Sequence, residues 1–107
     1  IITFDEFKNI ELKTAKIVKV EKVDGADKLL KIQVEINNKK RQIISGIAEY
    51  YSKEELIDKT IVVVTNLKPA KIFGIESYGM LLAAKKGRDL TLITLDSEKV
   101  KTGKKVY

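Results

Sequence analysis

The sequence predicts an all-β domain, and three observations carry that reading. Apolar residues recur mostly at alternate positions or in short β-branched runs. The runs are separated by Asp-Gly, Asn-Asn and Gly-containing turn signals. The only helix signatures are two capping boxes too short to anchor a helical layer. The 107 residues carry no internal repeat or low-complexity tract and a single proline, Pro69, so one domain spanning 1–107 is expected.

Thr3-Phe4-Asp5-Glu6 has the S/T-x-x-E form of a capping box, and Phe4 and Phe7 lie three apart, so a short helix opens the chain. Leu12 to Val23 alternates loosely, with Ile17 expected on one side and Val18 and Val20 on the other, and ends at the turn signal Asp24-Gly25. Leu29 to Ile36 alternates through Leu30, Ile32, Val34 and Ile36. Asn37-Asn38 then tolerates the left-handed backbone of a tight hairpin, and Arg41 to Ser45 returns. Ser52-Lys53-Glu54-Glu55 is a second capping box, followed by the β-branched run Ile61-Val62-Val63-Val64, suited to a strand buried on both faces. A loop containing Pro69 separates this run from a last pair of strands, Met80 to Ala84 and Leu90 to Leu95, joined at Lys86-Gly87-Arg88-Asp89. Three strands, a short helix and two strands is the order of a five-stranded OB-fold Greek-key barrel. An SH3-like barrel or a small sandwich matches the strand count nearly as well; the helix between strands three and four favours the OB-fold.

Composition closes several function classes. No His and no Cys are present, which removes the usual general base, thiolate chemistry and the usual zinc ligands, so no metal and no cofactor are expected. Gly74 to Gly79 has the spacing that begins a phosphate-binding P-loop, but Met80 and Leu81 stand where Lys and Ser/Thr are required. The carboxylate pairs Glu54/Glu55 and Asp96/Glu98 fall at a helix start and near a strand end, where acids have ordinary structural roles. The longest apolar run, Met80 to Ala84, is far shorter than a membrane span, and a cytoplasmic, membrane-free setting is expected. The high charged fraction, rich in Lys and Glu, also matches a thermophile-like surface.

Charge points to a polyanion as partner. The net charge is +6, and it is unevenly spread: residues 1–27 hold 5 basic and 6 acidic side chains, residues 28–71 hold 9 and 5, and residues 72–107 hold 7 and 4. Lys28, Lys31, Lys39, Lys40, Arg41, Lys68 and Lys71 supply most of the central surplus. Single-strand binders stack successive bases on aromatic rings, yet the Pro69 loop has only Phe73 and Tyr78, and no ring lies between Val18 and Ile47. A folded RNA, read through phosphates, shape and a few unstacked bases, suits this inventory better.

The stretch Asn66-Leu67-Lys68-Pro69-Ala70-Lys71-Ile72-Phe73-Gly74-Ile75-Glu76-Ser77-Tyr78-Gly79-Met80-Leu81-Leu82-Ala83-Ala84, with Ala26-Asp27-Lys28-Leu29 and Ile44-Ser45-Gly46-Ile47 upstream, resembles the tRNA-binding domain found at the C-terminus of methionyl-tRNA synthetases and as free-standing dimeric tRNA-binding proteins. The resemblance implies an OB-fold and a non-catalytic role, with aminoacylation in another domain. It also implies a tRNA site built from Lys28, Asn66, Lys68, Lys71, Ser77 and Met80, with Arg41 and Arg88 tied to the motif only approximately. In that reading Lys28 and Lys71 contact phosphate, Asn66 faces a base or sugar, Ser77 reaches a phosphate or ribose, and Met80 touches a base. A homodimer through the N- and C-terminal segments is implied as well, with Phe4, Phe7, Val100, Val106 and Tyr107 as apolar material. The start at Ile1, without Met, favours a domain belonging to a longer synthetase chain. The rival readings are a peptide-binding chaperone of the same fold, with a groove at Phe73, Tyr78 and Met80, and a generic single-stranded nucleic-acid binder.

Overall fold

The computed structural model describes residues 1–107. Two long strands, β1 (Leu12–Val23) and β2 (Ala26–Ile36), form the central hairpin, and β3 (Lys39–Ser45) pairs with β2. The turns obey local chemistry. Gly25 takes φ +81° after Asp24, while Asn37 and Asn38 take φ 52° and 65°, the left-handed pair that a two-residue hairpin requires. Along β2 the buried residues are Leu30, Ile32, Val34 and Ile36, as alternation predicts. β1 departs from the expected alternation: Ile17 and Val20 are both in the core, because Val18 is the extra residue of a bulge between Ile17 and Lys19. The bulge resets the face and coils the strand.

α1 (Phe4–Phe7) and α2 (Lys53–Leu56) are single turns, each opened by a complete capping box at Thr3/Glu6 and Ser52/Glu55. A turn this short has little stability of its own. α2 persists because Leu56 inserts fully into the core beside Ile17, Ile32, Ile43, Ile61 and Val63. β4 (Thr60–Val64) is buried at Ile61 through Val64, on both faces, and pairs with β1.

The loop around Pro69 contains a hairpin that sequence patterning did not reveal. β5 (Ala70–Ile72) and β6 (Ile75–Ser77) pair across Phe73-Gly74, with φ 51° and 78°. The run expected as one strand from Met80 is also divided. β7 (Met80–Leu81) joins the main sheet beside β4, whereas β8 (Ala83–Lys86) and β9 (Asp89–Leu92) form a separate two-stranded ribbon. Leu82 is the branch point: its N–H donates to Val62 O and its carbonyl accepts from Ile93 N. The resulting five-stranded sheet has the order β3-β2-β1-β4-β7, with the small helix α2 between β3 and β4 in sequence.

Its two edges approach one another. Tyr78 N donates to Gln42 O at 2.8 Å, and Ile44 N donates to Ser77 Oγ at 3.0 Å, so β6 covers the free edge of β3. Covering matters because an open edge is a template for pairing with another chain. The C-terminal segment fastens to the start of β1: Gly103 N donates to Thr14 O, Thr14 N to Lys104 O, and Val106 N to Leu12 O.

Candidate nucleic-acid interface

Arg41 organises one end of the site. Its Nη1 donates to Thr65 O at 2.7 Å and to Tyr78 O at 3.1 Å, tying β3 to the segments on either side of the β5–β6 hairpin. Nη2 and Nε are left for an outside acceptor. Gly79 lets the chain pass close to β4: a Cβ there would lie 3.0 Å from Val64 O and 3.2 Å from Val63 Cγ1. Beyond it Met80, opposite Val64, has a half-exposed side chain while Leu81 turns into the core.

Two expected contact residues have other employment. Ser77 is 3% exposed, and its hydroxyl accepts from Ile44 N and donates to Gly79 O at 3.2 Å. Sequence reasoning expects it to reach a phosphate or ribose; the structure places it as the fastener of β6 to β3, buried and with two internal partners. Asn66 is exposed, but its Oδ1 accepts from Glu11 N at 2.9 Å and its Nδ2 donates to Asn9 O at 2.7 Å. The amide expected to face a base instead clasps the N-terminal segment, keeping only its second N–H for solvent.

Lys68 and Lys71 are exposed, with no carboxylate within salt-bridge distance. Lys71 stands across from Glu76 in the β5–β6 pair. At the tip of this hairpin Phe73 is 60% exposed, with its ring against Gly25 in the β1–β2 turn. Lys28 is not part of the Arg41 cluster. Val34 pairs with Arg41, and six residues of strand separate Val34 from Lys28, roughly 20 Å at the usual rise per residue. Lys28 faces Glu49 at 4.0 Å, a loose and solvated pair. The β5–β6 hairpin therefore spans from the Arg41 end to the turn that precedes Lys28. Lys40 and Tyr78, not singled out among the contact residues from sequence, join Arg41 along a groove. Arg88 lies elsewhere, in the turn of the β8–β9 ribbon.

Apart from Glu76, opposite Lys71, the acids near this strip are tied up or lie elsewhere. The Glu11 carboxyl is held below the usual glutamate range, first by the Thr65 hydroxyl that donates to it at 2.5 Å, then by the charges of Lys13 and Arg41. The larger cleft of the molecule, about 940 Å³, lies at the other end and is lined by Asp24, Asp27, Glu49, Glu54 and Glu55 against only Lys22 and Lys53. Size alone would select that cleft; its charge rules it out for a polyanion. No three His, Cys, Asp or Glu side chains are grouped to hold a metal ion, and no helix is long and apolar enough to cross a membrane.

A small all-β domain with a basic, partly aromatic strip along a covered sheet edge has the features of a nucleic-acid-binding module. Residues 12–105 match the family described as "Putative tRNA binding domain", and the chain belongs to that family. It is 55% identical over 97 residues to the methionine–tRNA ligase of Thermotoga maritima, covering 91% of this chain and 15% of that protein. With the methionine–tRNA ligase of Methanospirillum hungatei it shares 58% identity over 83 residues, covering 78% of this chain and 12% of the relative. The chain thus spans about a sixth or less of the curated relatives it matches. Among solved structures, a MetRS-related protein from Pyrococcus horikoshii superposes with a TM-score of 0.92 at 37% identity, covering 100% of this chain and 98% of that one. The CsaA chaperone of Picrophilus torridus superposes at 0.90 with 27% identity, over the full length of both chains.

Proposed function

We propose that the chain is a non-catalytic tRNA-binding domain, the C-terminal appendix of a methionyl-tRNA synthetase whose aminoacylation chemistry resides in another domain. The observation that carries this reading is the strip of cations without a carboxylate partner, Lys40 and Arg41 on β3 and Lys68 and Lys71 at the start of the β5–β6 hairpin, in a chain that matches the family over residues 12–105. Lys71 and Lys68 meet phosphates, Lys28 extends the track at its far end, and Met80 offers an apolar surface to a base. Arg41 has a dual role, holding the loop and presenting its free guanidinium nitrogens. Ser77 and Asn66 act by positioning this loop.

The same reading takes residues 1–107 as one OB-fold Greek-key barrel working in the cytoplasm. The approach of β6 to β3 and the Arg41 link to Thr65 support closure of the sheet. It further takes the domain as a homodimer through its terminal segments. Ile2, Phe4, Ile10, Val100 and Tyr107 are exposed apolar side chains in those segments, and both segments are fastened to the start of β1 and the adjacent Asn66. Pairing would give two basic strips and gain affinity through effective concentration.

The test is a tRNA titration at two salt concentrations with wild type and Lys71→Ala. Affinity should fall steeply with salt, and each lost phosphate contact should reduce the log–log slope by about 0.7–0.9. Binding that ignores salt, or is matched by an apolar unfolded peptide, would instead favour a peptide-binding chaperone. Equal competition by unstructured oligonucleotides would favour a generic single-strand binder.

A further inference from the structure

We propose that the groove between β3 and the β4–β5 connection is a nucleotide subsite, holding one base flipped out of the RNA stack with its phosphate on Lys40 and Arg41. This rests on the tRNA-binding reading and goes beyond it, because Gln33, Gln42 and Tyr78 are given the task of holding a base.

The groove measures about 540 Å³, inside the range of roughly 300–1,000 Å³ usual for a small organic ligand and too small for a stretch of duplex. Its back wall is a fixed chain of amides. Gln33 Nε2 donates to Gln42 Oε1 at 2.9 Å, and Gln42 Nε2 donates to Glu76 O at 2.8 Å. Both amides are half-buried, and these bonds set which way each one points. Gln33 Oε1 accepts nothing from the protein, and each amide nitrogen keeps one free N–H, so the wall presents an acceptor beside donors, the complement of a base edge. Orientation in advance matters, since an amide that must first be ordered spends part of its binding energy on that ordering.

The sides are suited to a flat, apolar face. Tyr78 is 43% exposed at the groove, and its backbone is pinned on both sides, with N–H on Gln42 O and carbonyl on Arg41. Leu67, 47% exposed, and Pro69 supply apolar surface from the connecting segment. The mouth carries Lys40 and the unused nitrogens of Arg41, and no carboxylate lines the groove. A mainly polar groove with one aromatic and aliphatic side, a wall of amides and two cations at its rim matches a nucleotide. A hydrophobic peptide would leave the amides and cations without partners.

The experiment uses a tRNA transcript with wild type, Tyr78→Leu, Tyr78→Phe, Gln33→Leu, Lys40→Ala and Lys71→Ala, after equal denaturation midpoints establish that each is folded. Loss of one base–aromatic stack should weaken binding roughly 5- to 150-fold in Tyr78→Leu, with the salt slope unchanged, while Tyr78→Phe stays near wild type. Gln33→Leu should also lose affinity without a slope change, and Lys40→Ala should lower the slope by about 0.7–0.9. With four Tyr and no Trp in the chain, stacking is also readable as quenched tyrosine emission on adding tRNA, reduced in Tyr78→Leu. If Tyr78→Leu and Gln33→Leu bind like wild type while Lys71→Ala binds more weakly, the subsite is refuted and tRNA binding stands. If wild type does not bind tRNA at all, both fall together.

Discussion

Ser77→Ala separates a structural from a contact role at the residue where the two readings differ most. The substitution removes the acceptor of Ile44 N–H, a 3.0 Å bond made by a residue 5% exposed, and the donor to Gly79 O. Ile44 N–H points away from β2 toward the covered edge, so no other strand can take it up. A buried backbone donor left without a partner costs about 1–3 kcal/mol. In a domain of this size each kcal/mol lowers Tm by about 4–8 °C. Urea denaturation followed by far-ultraviolet circular dichroism should therefore show a clear fall in midpoint. The tRNA affinity of the variant, titrated at a temperature where it remains fully folded, should stay within about threefold of wild type, since no direct contact is lost. An unchanged midpoint together with a tenfold or greater loss of affinity would refute this reasoning and return Ser77 to the RNA.

Gly79→Ala should destabilise by about 1–3 kcal/mol in thermal denaturation, because the added Cβ meets backbone at 3.0 Å and cannot be relieved by a rotamer change. Gly74→Ala should cost only about 1 kcal/mol, since φ +78° is strained for alanine but the space around it is open. Asn66→Ala should release the N-terminal segment, read as faster hydrogen exchange at the Glu11 amide, with a loss of about 0.5–1.5 kcal/mol. The Glu11 carboxyl, lowered by Thr65, Lys13 and Arg41, contributes stability that is full above the ordinary glutamate range and lost as pH falls through its own depressed value. Acid titration of stability should accordingly show a component in that window that Glu11→Gln removes.

Much of the frame is visible in residue patterning. Alternation from Leu30 to Ile36, the β-branched run Ile61 to Val64 and the two capping boxes each reflect one local rule acting where it is expected. The failures are also local. Val18 carries no mark of a bulge, because a β-branched residue is equally at home in regular strand. The β5–β6 hairpin was invisible because Phe73, rather than Asn or Gly, takes the first left-handed position of its turn. For the site, motif resemblance marks the segment Asn66 to Ala84 and its cations but not the employment of each polar group. Ile44, which donates to Ser77, and Glu11 and Asn9, the partners of Asn66, lie 33 to 57 residues away in sequence, and only the folded chain brings them together. Gln33 and Gln42 do carry a usable signal: strand alternation places each on the face opposite its buried neighbours, Ile32 and Val34 on one strand and Ile43 on the other.

The acid-lined cleft gives the molecule a direction. With Asp24, Asp27, Glu49, Glu54 and Glu55 at one end and the Arg41–Lys71 strip at the other, the domain has a charge dipole as well as a net charge. An approaching polyanion feels torque before it feels contact, and arrives at the strip already oriented, an advantage that fades as salt screens beyond about 10 Å. On the proposed reading the RNA track ends at Lys28 and the tip of the β5–β6 hairpin, where the acidic rim of the cleft begins and repels the backbone.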